Sequence, residues 1–259
     1  MTRSLDAIAW EVSDGVGTLS FNRPEHFNGM TNGMIREFYE LLMDVANDPT
    51  VAVVILTGKG KAFCPGADLK HYSSGQKDEP LRAENFLVPV LLHEMPQVTI
   101  AAINGACAGA GFGYAMACDL RYAARGAKMN TAFLDVAVAG DMGVPWTLPR
   151  IVGAGRAREL SFFPRKVDAD EAATINLVNA VFEPEHLMHE VTERARQIAA
   201  AAPLARRAMK QQYVEAEGLS YRDFINIETE RHMRISKSVD TQEAFLAFVE
   251  KRKANYVGY

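Results

Sequence analysis

The sequence predicts an α/β protein with a C-terminal run of helices, and three observations support this. Apolar runs of strand length recur through the first 180 residues. Amphipathic stretches of helical periodicity lie between these runs, as expected for a mixed α/β core. After Pro184 no further strand pattern occurs, and helical stretches follow one another. We therefore expect an α/β core over residues 1–184 and a separate helical module over residues 185–259.

The elements of the core follow from the period of the apolar residues. A run of about six apolar residues fits a buried strand, whereas apolar residues three and four apart fit one face of a helix. The predicted elements are strands Ile8–Val12 and Val16–Phe21, helix Thr31–Asn47, strand Val51–Thr57, helix Leu81–Glu94, strand Val98–Ile103, helix Gly111–Ala117 and strand Leu120–Ala124. Thr31 or Asn32 is the expected cap of the first helix. The polar residues 73–80 predict a loop.

The C-terminal quarter predicts helices alone. Its four helical stretches are His186–Ala201, Leu204–Glu217, Tyr221–Ser236 and Thr241–Arg252. Because no strand separates them, we expect these helices to pack together or against another surface.

Composition and charge argue against several classes of protein. The net charge of −4 provides no basic field for nucleic acid. No apolar run reaches the length of about 18 residues that a membrane-spanning helix needs, and the first residues lack the apolar core of a signal peptide. The odd number of cysteines, Cys64, Cys107 and Cys118, fits reduced thiols better than a disulfide framework or a zinc site. We expect a cytoplasmic protein without nucleic-acid or membrane partners.

Two small-residue turns each follow a predicted buried strand. Residues 61–70 read KAFCPGADLK, and residues 104–119 read NGACAGAGFGYAMACD. The second segment holds four glycines and five alanines in sixteen residues, which is too little volume to be explained as core. Such turns allow close backbone approach and leave N–H groups free. Two of them predict a pair of N–H donors that converge on one oxygen, which is an oxyanion hole.

These two segments resemble the crotonase (enoyl-CoA hydratase/isomerase) superfamily. Three further segments agree in order and spacing, so that the resemblance covers roughly residues 5–258: FNRPE at 21–25, LPRIVG at 148–153 and AFVEKRK at 247–253. The resemblance implies an open spiral of ββα turns and acyl-CoA thioester substrates. It also implies that the C-terminal module packs on neighbouring subunits, in a homotrimer or in two stacked trimers that form a hexamer. A helical lid on a monomer is the alternative.

The resemblance also implies which residues bind the substrate. It places the oxyanion donors at the backbone N–H groups of Ala67 and Ala110. The residues expected to line the coenzyme A channel are Arg23, Ala67, Asp68, Leu69 and Lys70. Lys251 and Lys253 are further candidates at a subunit boundary, although a solvated surface role is the simpler interpretation of either. No metal, nicotinamide, flavin or permanently bound cofactor is expected, since coenzyme A arrives as part of the thioester.

The acid and base residues are where the sequence departs from the family pattern. Family hydratases carry two glutamates that share a water molecule, and the resemblance places them at Gly113 and Phe133. Neither side chain can activate water, so ordinary hydration is not expected as the main activity. Family branches that isomerise, rearrange or dehalogenate acyl-CoAs carry an aspartate at the position of Asp141. The dehalogenases also rely on a histidine, and none stands at the matching place near Phe86.

Asp141 is therefore the expected proton shuttle. The expected substrate pocket around it comprises Phe112, Gly113, Phe133, Met142 and Trp146. Desolvation there would raise the pKa of the carboxyl group toward a useful value. The structural alternative is that Asp141 caps a helix that begins near Met142. Asp135 and Glu94 are weaker candidates.

The expected reaction is double-bond migration from a 3-enoyl-CoA to a 2-enoyl-CoA, or a related enolate rearrangement. One base can carry a proton between two carbons while the oxyanion hole holds the dienolate. Two alternatives keep the fold: enoyl-CoA hydration, and hydrolytic carbon–carbon cleavage of a β-keto acyl-CoA. A third alternative is an acyl-CoA-binding protein without catalytic activity.

Overall fold

The computed structural model describes residues 5–75 and 78–259. The strands are β1 Ile8–Ser13, β2 Val16–Phe21, β3 Val53–Gly58, β4 Ala62–Cys64, β5 Val98–Ile103, β6 Ala106–Ala108, β7 Leu120–Ala124, β8 Lys128–Asn130, β9 Val167–Asp168 and β10 Ala180–Phe182. The helices are α1 Asn32–Ala46, α2 Leu69–Ser73, α3 Val88–Glu94, α4 Gly109–Ala117, α5 Val144–Val152, α6 Ala154–Phe162, α7 Ala169–Thr174, α8 Leu187–Ala199, α9 Pro203–Ala216, α10 Tyr221–Ile235 and α11 Val239–Glu250. Short 3₁₀ turns span Pro24–His26, Ala83–Leu87 and Leu134–Val136.

The strands form two sheets, and from β3 to β8 the chain alternates between them. The larger sheet has the order β1-β2-β3-β5-β7-β10, and the smaller has the order β4-β6-β8-β9. In the larger sheet β1 and β2 are antiparallel, while all later neighbours are parallel. Each of β3, β5 and β7 is followed along the chain by a short strand of the smaller sheet. The predicted mixed α/β fold of repeated strand–strand–helix units is confirmed.

The two faces of the larger sheet are covered by different helices. On one face Phe21 of β2 makes edge-to-face contacts with Phe38 of α1 and Phe63 of β4, each with ring centroids 5.4 Å apart. On the other face α8 packs Leu187 and Val191 against the strands. The first helix beyond residue 184 thus belongs to the packing of the sheet. The division into domains at residues 184 and 185 stays a prediction.

Most predicted elements lie where the sequence places them. The bounds of β2, β5 and β7 match the prediction, and Thr31 caps α1 because its Oγ1 accepts a hydrogen bond from the Met34 N–H at 3.3 Å. The predicted start of a helix at Leu81 is wrong, because the α-helix α3 begins at Val88 after a 3₁₀ turn. Pro89 explains this start, since proline lacks an N–H and is tolerated only in the first turn.

The polar segment 73–80 was predicted as a loop. Ser73 is the last residue of α2, and a turn follows it. Gln76 and Lys77 lie outside the described residues, so the prediction stays untested there.

The three cysteines are buried, and none of them forms a disulfide. Burial raises the pKa of Cys64 and of Cys118 to about 12, which keeps both thiols protonated and unreactive. No helix within residues 5–75 and 78–259 is long and apolar enough to cross a membrane. The same residues contain no cluster of three histidine, cysteine or acidic side chains suited to a metal ion.

Candidate active site

The two small-residue turns touch each other through their backbones. Gly66 and Gly109 both have positive φ, at 95° and 51°, where residues other than glycine are strained. A Cβ atom added to Gly66 would lie 3.1 Å from the Ala108 oxygen and 3.4 Å from the Ala110 nitrogen. Glycine at position 66 therefore allows the first turn to approach the start of α4 directly.

This contact brings together the two predicted oxyanion donors, Ala67 and Ala110. Around Ala67 the Met30 N–H donates to the Gly66 oxygen at 2.8 Å, and the Asp68 N–H donates to the Met30 oxygen at 2.9 Å. Backbone groups alternate in direction along an extended strand, so the Ala67 N–H faces away from Met30. Ala110 lies in the first turn of α4, where N–H groups have no acceptor within the helix.

Both N–H groups are available to a ligand. Neither the Ala67 N–H nor the Ala110 N–H donates a hydrogen bond to any residue that the structure describes. Neither alanine has positive φ, so both can donate from an unstrained backbone. The arrangement fits stabilisation of negative charge on an oxygen atom placed between them.

Gly113, one of the two positions at which the resemblance places a glutamate, is packed against Met142. A Cβ atom at Gly113 would lie only 2.4 Å from the Cβ of Met142, which is closer than side chains approach. Met142 has an unusual positive φ of 49°. The Met142 side chain thus fills the volume that a side chain at position 113 would need.

Phe133, the other such position, lies beside Gly140. A Cβ atom at Gly140 would be 3.8 Å from Cδ2 of Phe133. Asp141 stands in the chain between Gly140, which lies beside Phe133, and Met142, which contacts Gly113. The structure therefore places one carboxylate in the region that the resemblance assigns to two.

The Asp141 carboxylate is free to take part in chemistry. Among the described residues none forms a hydrogen bond or ion pair with it. Although the side chain is open to the surface, neighbouring atoms partly desolvate it, and this desolvation raises the pKa of Asp141. A raised pKa suits a group that must both accept and donate a proton.

The alternative role of Asp141 as a helix cap is not supported by a side-chain contact. Helix α5 begins at Val144, its N-cap residue is Gly143, and no side chain caps it. The backbone oxygen of Asp141 accepts a hydrogen bond from the Val144 N–H at 3.2 Å. The carboxylate is therefore not used to start the helix.

The other predicted pocket residues fall into two groups. Phe112 and Met142 are buried in the core beside α4. Trp146 lies elsewhere, with 42% of its surface exposed, its ring edge-to-face with His93 and the Arg150 guanidinium 3.7 Å from the ring centroid. Gly113 contacts Met142 and Phe133 lies beside Gly140, the two residues that flank Asp141, while the Trp146 ring packs against His93 of α3. The pocket itself stays a prediction.

A cavity of about 310 Å³ lies behind Phe133. It is lined mainly by apolar residues of α5 and α6, together with Gly140 and Arg158. Ala67 and Ala110 do not border it. The cavity therefore adjoins the Asp141 segment but is separate from the oxyanion donors.

The predicted coenzyme A residues surround the start of α2. Arg23 Nη2 lies 3.1 Å from Asp68 Oδ2, and Asp68 also accepts the His71 N–H at 3.1 Å. Burial raises the pKa of Asp68, but these partners outweigh burial and the net shift is downward. Leu69 and Lys70 are exposed. Arg23 and Asp68 thus form an ion pair that shapes the turn, while Lys70 presents its charge to solvent.

Three residues with a place in this site were not singled out from the sequence. Gly66 and Gly109 set the contact between the turns, and the signal for them was a glycine directly before each predicted donor. Gly140 has a positive φ of 106°, where other residues are strained, and the sequence carries no local signal for this.

Comparison with known proteins agrees with this geometry. A model of the enoyl-CoA hydratase/isomerase family matches residues 11–258. The chain belongs to this family. It is 33% identical to a crotonyl-CoA hydratase of Syntrophomonas wolfei, over 96% of this chain and 97% of the relative. It is 31% identical to a 1,2-epoxyphenylacetyl-CoA isomerase of Escherichia coli, over 98% of this chain and 99% of the relative.

Solved structures of the family share the fold. An enoyl-CoA hydratase from Bacillus anthracis superposes with a TM-score of 0.92 at 31% identity, covering 98% of this chain and all of that chain. The names of these relatives include both hydratases and an isomerase, so membership of the enoyl-CoA hydratase/isomerase family leaves the particular reaction open.

Gly113→Glu is expected to lower stability without creating a hydratase. The new Cβ would collide with Met142, and overpacking of this kind typically costs about 1–3 kcal/mol. Thermal unfolding and a crotonyl-CoA hydration assay check this. Gly113→Glu combined with Met142→Gly should recover part of the lost stability, because glycine removes the Cβ that collides and tolerates the positive φ of 49° at this position. A single Gly113→Glu variant that hydrates crotonyl-CoA at wild-type stability would contradict the packing argument.

Proposed function

We propose that this protein moves double bonds in acyl-CoA thioesters, converting 3-enoyl-CoA to 2-enoyl-CoA or performing a related enolate rearrangement. Asp141 acts as the single acid and base, and the Ala67 and Ala110 N–H groups hold the thioester oxygen. The observation that carries the proposal is the position of Asp141 between Gly113 and Phe133, beside Met142 and Gly140.

The proposed reaction needs one carboxylate and no water. Asp141 takes a proton from C2 of the 3-enoyl-CoA, and the electrons of that C–H bond form a C1=C2 double bond while the carbonyl electrons move onto the thioester oxygen, which gives a dienolate. The two N–H donors stabilise the negative charge on this oxygen. When the carbonyl group re-forms, the C1=C2 electrons form the C2=C3 double bond, and the C3=C4 electrons take up the proton that Asp141 returns to C4. The substrate leaves with unchanged mass as the 2-enoyl-CoA.

The test is incubation of the purified protein with matched 2-enoyl-CoA and 3-enoyl-CoA, followed by product mass and double-bond position. Isomer formation at unchanged mass supports the proposal. A product heavier by the mass of one water would favour enoyl-CoA hydration, the reaction named for the crotonyl-CoA hydratase relative. Cleavage of a β-keto acyl-CoA would favour the hydrolase reading. Tight binding without turnover of any of these thioesters would favour a binding protein.

We propose that coenzyme A enters only as part of the thioester and that the protein needs no permanent cofactor. The channel would run past Arg23, Ala67, Asp68, Leu69 and Lys70, with the exposed Lys70 near the phosphates. Small-molecule thioesters are the proposed partners, and the cytoplasm is the proposed location.

We also propose a homotrimer, alone or stacked as a hexamer, assembled through the C-terminal helices. Helix α11 exposes Phe245, Phe248 and Val249, and Phe248 is 85% exposed. Apolar side chains grouped on one surface are typical of a subunit interface. Sedimentation equilibrium should give three or six times the chain mass, and Phe248→Glu should lower that mass. A monomer at micromolar concentration would rule out the trimer.

A further inference from the structure

Tyr114 carries a buried hydroxyl group that has no hydrogen-bond partner among the described residues. Its side chain is fully buried, and its ring contacts Phe38 edge-to-face with centroids 5.1 Å apart. Buried tyrosine hydroxyl groups usually find a partner, because an unpaired polar group is costly inside a protein. Packing therefore fixes the Tyr114 side chain in place, although no described residue forms a hydrogen bond with its hydroxyl group.

Tyr114 lies next to the part of α4 that touches the Asp141 segment. It follows Gly113, whose contact with Met142 brings residues 140–143 against the helix. It also lies one turn after Ala110, so that both project from the same side of α4. Tyr114 therefore lies on the same stretch of α4 as Ala110 and the contact with residues 140–143.

Three titratable groups act on the Tyr114 hydroxyl, and two of them are engaged elsewhere. After the larger effect of burial, the neighbouring ionisable groups of Cys64, Asp141 and Tyr72 also raise the pKa of Tyr114. Cys64 is a protonated thiol that faces the Gly66 oxygen at 3.9 Å, and the Tyr72 hydroxyl donates to Asn32 Oδ1 at 2.9 Å. The two rings that contact Tyr114, Phe21 of β2 and Phe38 of α1, carry no charge. Of the three, Asp141 supplies the only carboxylate, and no described residue forms a hydrogen bond with it.

We propose that Tyr114 is a positioning residue whose hydroxyl donates a hydrogen bond to the Asp141 carboxylate when a thioester occupies the site. An unused donor and an unused acceptor lie in one region, and the Asp141 side chain is free to rotate because no described residue holds it. The bond would orient the carboxylate between C2 and C4 and stabilise its charged form. This inference rests on the proposed role of Asp141 as the base.

Tyr114→Phe tests the inference, because it removes one oxygen atom and keeps the ring. We expect kcat for 3-enoyl-CoA isomerisation to fall about tenfold with little change in KM. Loss of the donor raises the pKa of Asp141. The acid limb of the plot of kcat against pH should therefore move up by about one pH unit. A purely structural role of Tyr114 would leave the position of this limb unchanged.

Two controls separate positioning from folding. Tyr72→Phe removes a neighbouring hydroxyl that is bonded to Asn32, and it should leave the acid limb in place. Thermal unfolding of Tyr114→Phe should show no loss of stability, because the hydroxyl contacts no described partner in the free protein. An unmoved acid limb overturns the inference, whether or not kcat or stability falls.

A second readout does not depend on turnover. The carboxyl group of Asp141, labelled with carbon-13 and identified by its absence in Asp141→Asn, can be titrated by NMR with a saturated acyl-CoA bound. The pKa should be higher in Tyr114→Phe than in the wild type. If the wild type fails to isomerise but this difference appears, the proposed function fails and the Tyr114–Asp141 pair stands. Equal pKa values in the two proteins would overturn the pair, whatever the enzyme does.

Discussion

Asp141→Asn is expected to lower kcat for 3-enoyl-CoA isomerisation by about 100- to 10,000-fold, with little change in KM. The amide keeps the size of the side chain and removes the base. Because the Asp141 carboxylate forms no hydrogen bond or ion pair within the described part of the chain, the substitution breaks no structural contact there. Thermal stability should therefore stay close to that of the wild type, and steady-state kinetics should report the loss of proton transfer alone.

The pH dependence gives a second test of Asp141. Desolvation raises the pKa of this carboxyl group. A base works only when it is deprotonated, so the wild-type rate should fall as the pH drops through that raised pKa, at a higher pH than for an ordinary aspartate with a pKa of about 3.9. Asp135→Asn is the matched control, since Asp135 is exposed in the same segment. An Asp141→Asn variant that kept the full rate and the same acid limb would assign the proton transfer to another group.

The larger sheet could be predicted from the sequence, and the smaller sheet could not. Strands β2, β5 and β7 have five or six residues that are mostly buried and rich in apolar side chains, long enough to be recognised by composition and length. Strands β4, β6 and β8 have three residues each, with small residues in two of them. Such short segments carry no periodicity, and they become strands because the tight turns beside them bring them into register with each other.

The two small-residue turns were predictable from the sequence, whereas their surroundings depend on contacts between distant segments. Small residues after buried strands are a local signal, and this signal located both turns. The contact between Gly113 and Met142 depends on a methionine with positive φ, which no sequence pattern indicates. Trp146 was expected in the pocket, but its ring packs against His93 and Arg150, and the Arg150 contact exists because residues four apart share a helix face.

Ala67→Pro is expected to lower kcat by about 100- to 1,000-fold, equivalent to about 2.7–4 kcal/mol of transition-state stabilisation. Proline removes the N–H of residue 67 and no other donor. That N–H forms no hydrogen bond to a described residue, while the neighbouring bonds between Met30 and Gly66 and between Asp68 and Met30 do not use it. The substitution therefore deletes the proposed oxyanion donor and no structural hydrogen bond, and KM should change less than kcat because the charge develops only during the reaction.

Ala67→Gly is the control for this variant, since it changes the side chain but keeps the N–H, and it should retain most of the activity. Infrared spectroscopy of a bound thioester adds a readout that does not need turnover. Two N–H donors polarise the carbonyl group, so its stretching frequency should be lower on the wild type than in water and should move back toward the value in water on Ala67→Pro. A folded Ala67→Pro protein with wild-type kcat and an unchanged carbonyl frequency would show that the thioester oxygen lies elsewhere. Proline at position 67 has no N–H and cannot donate a hydrogen bond to that oxygen.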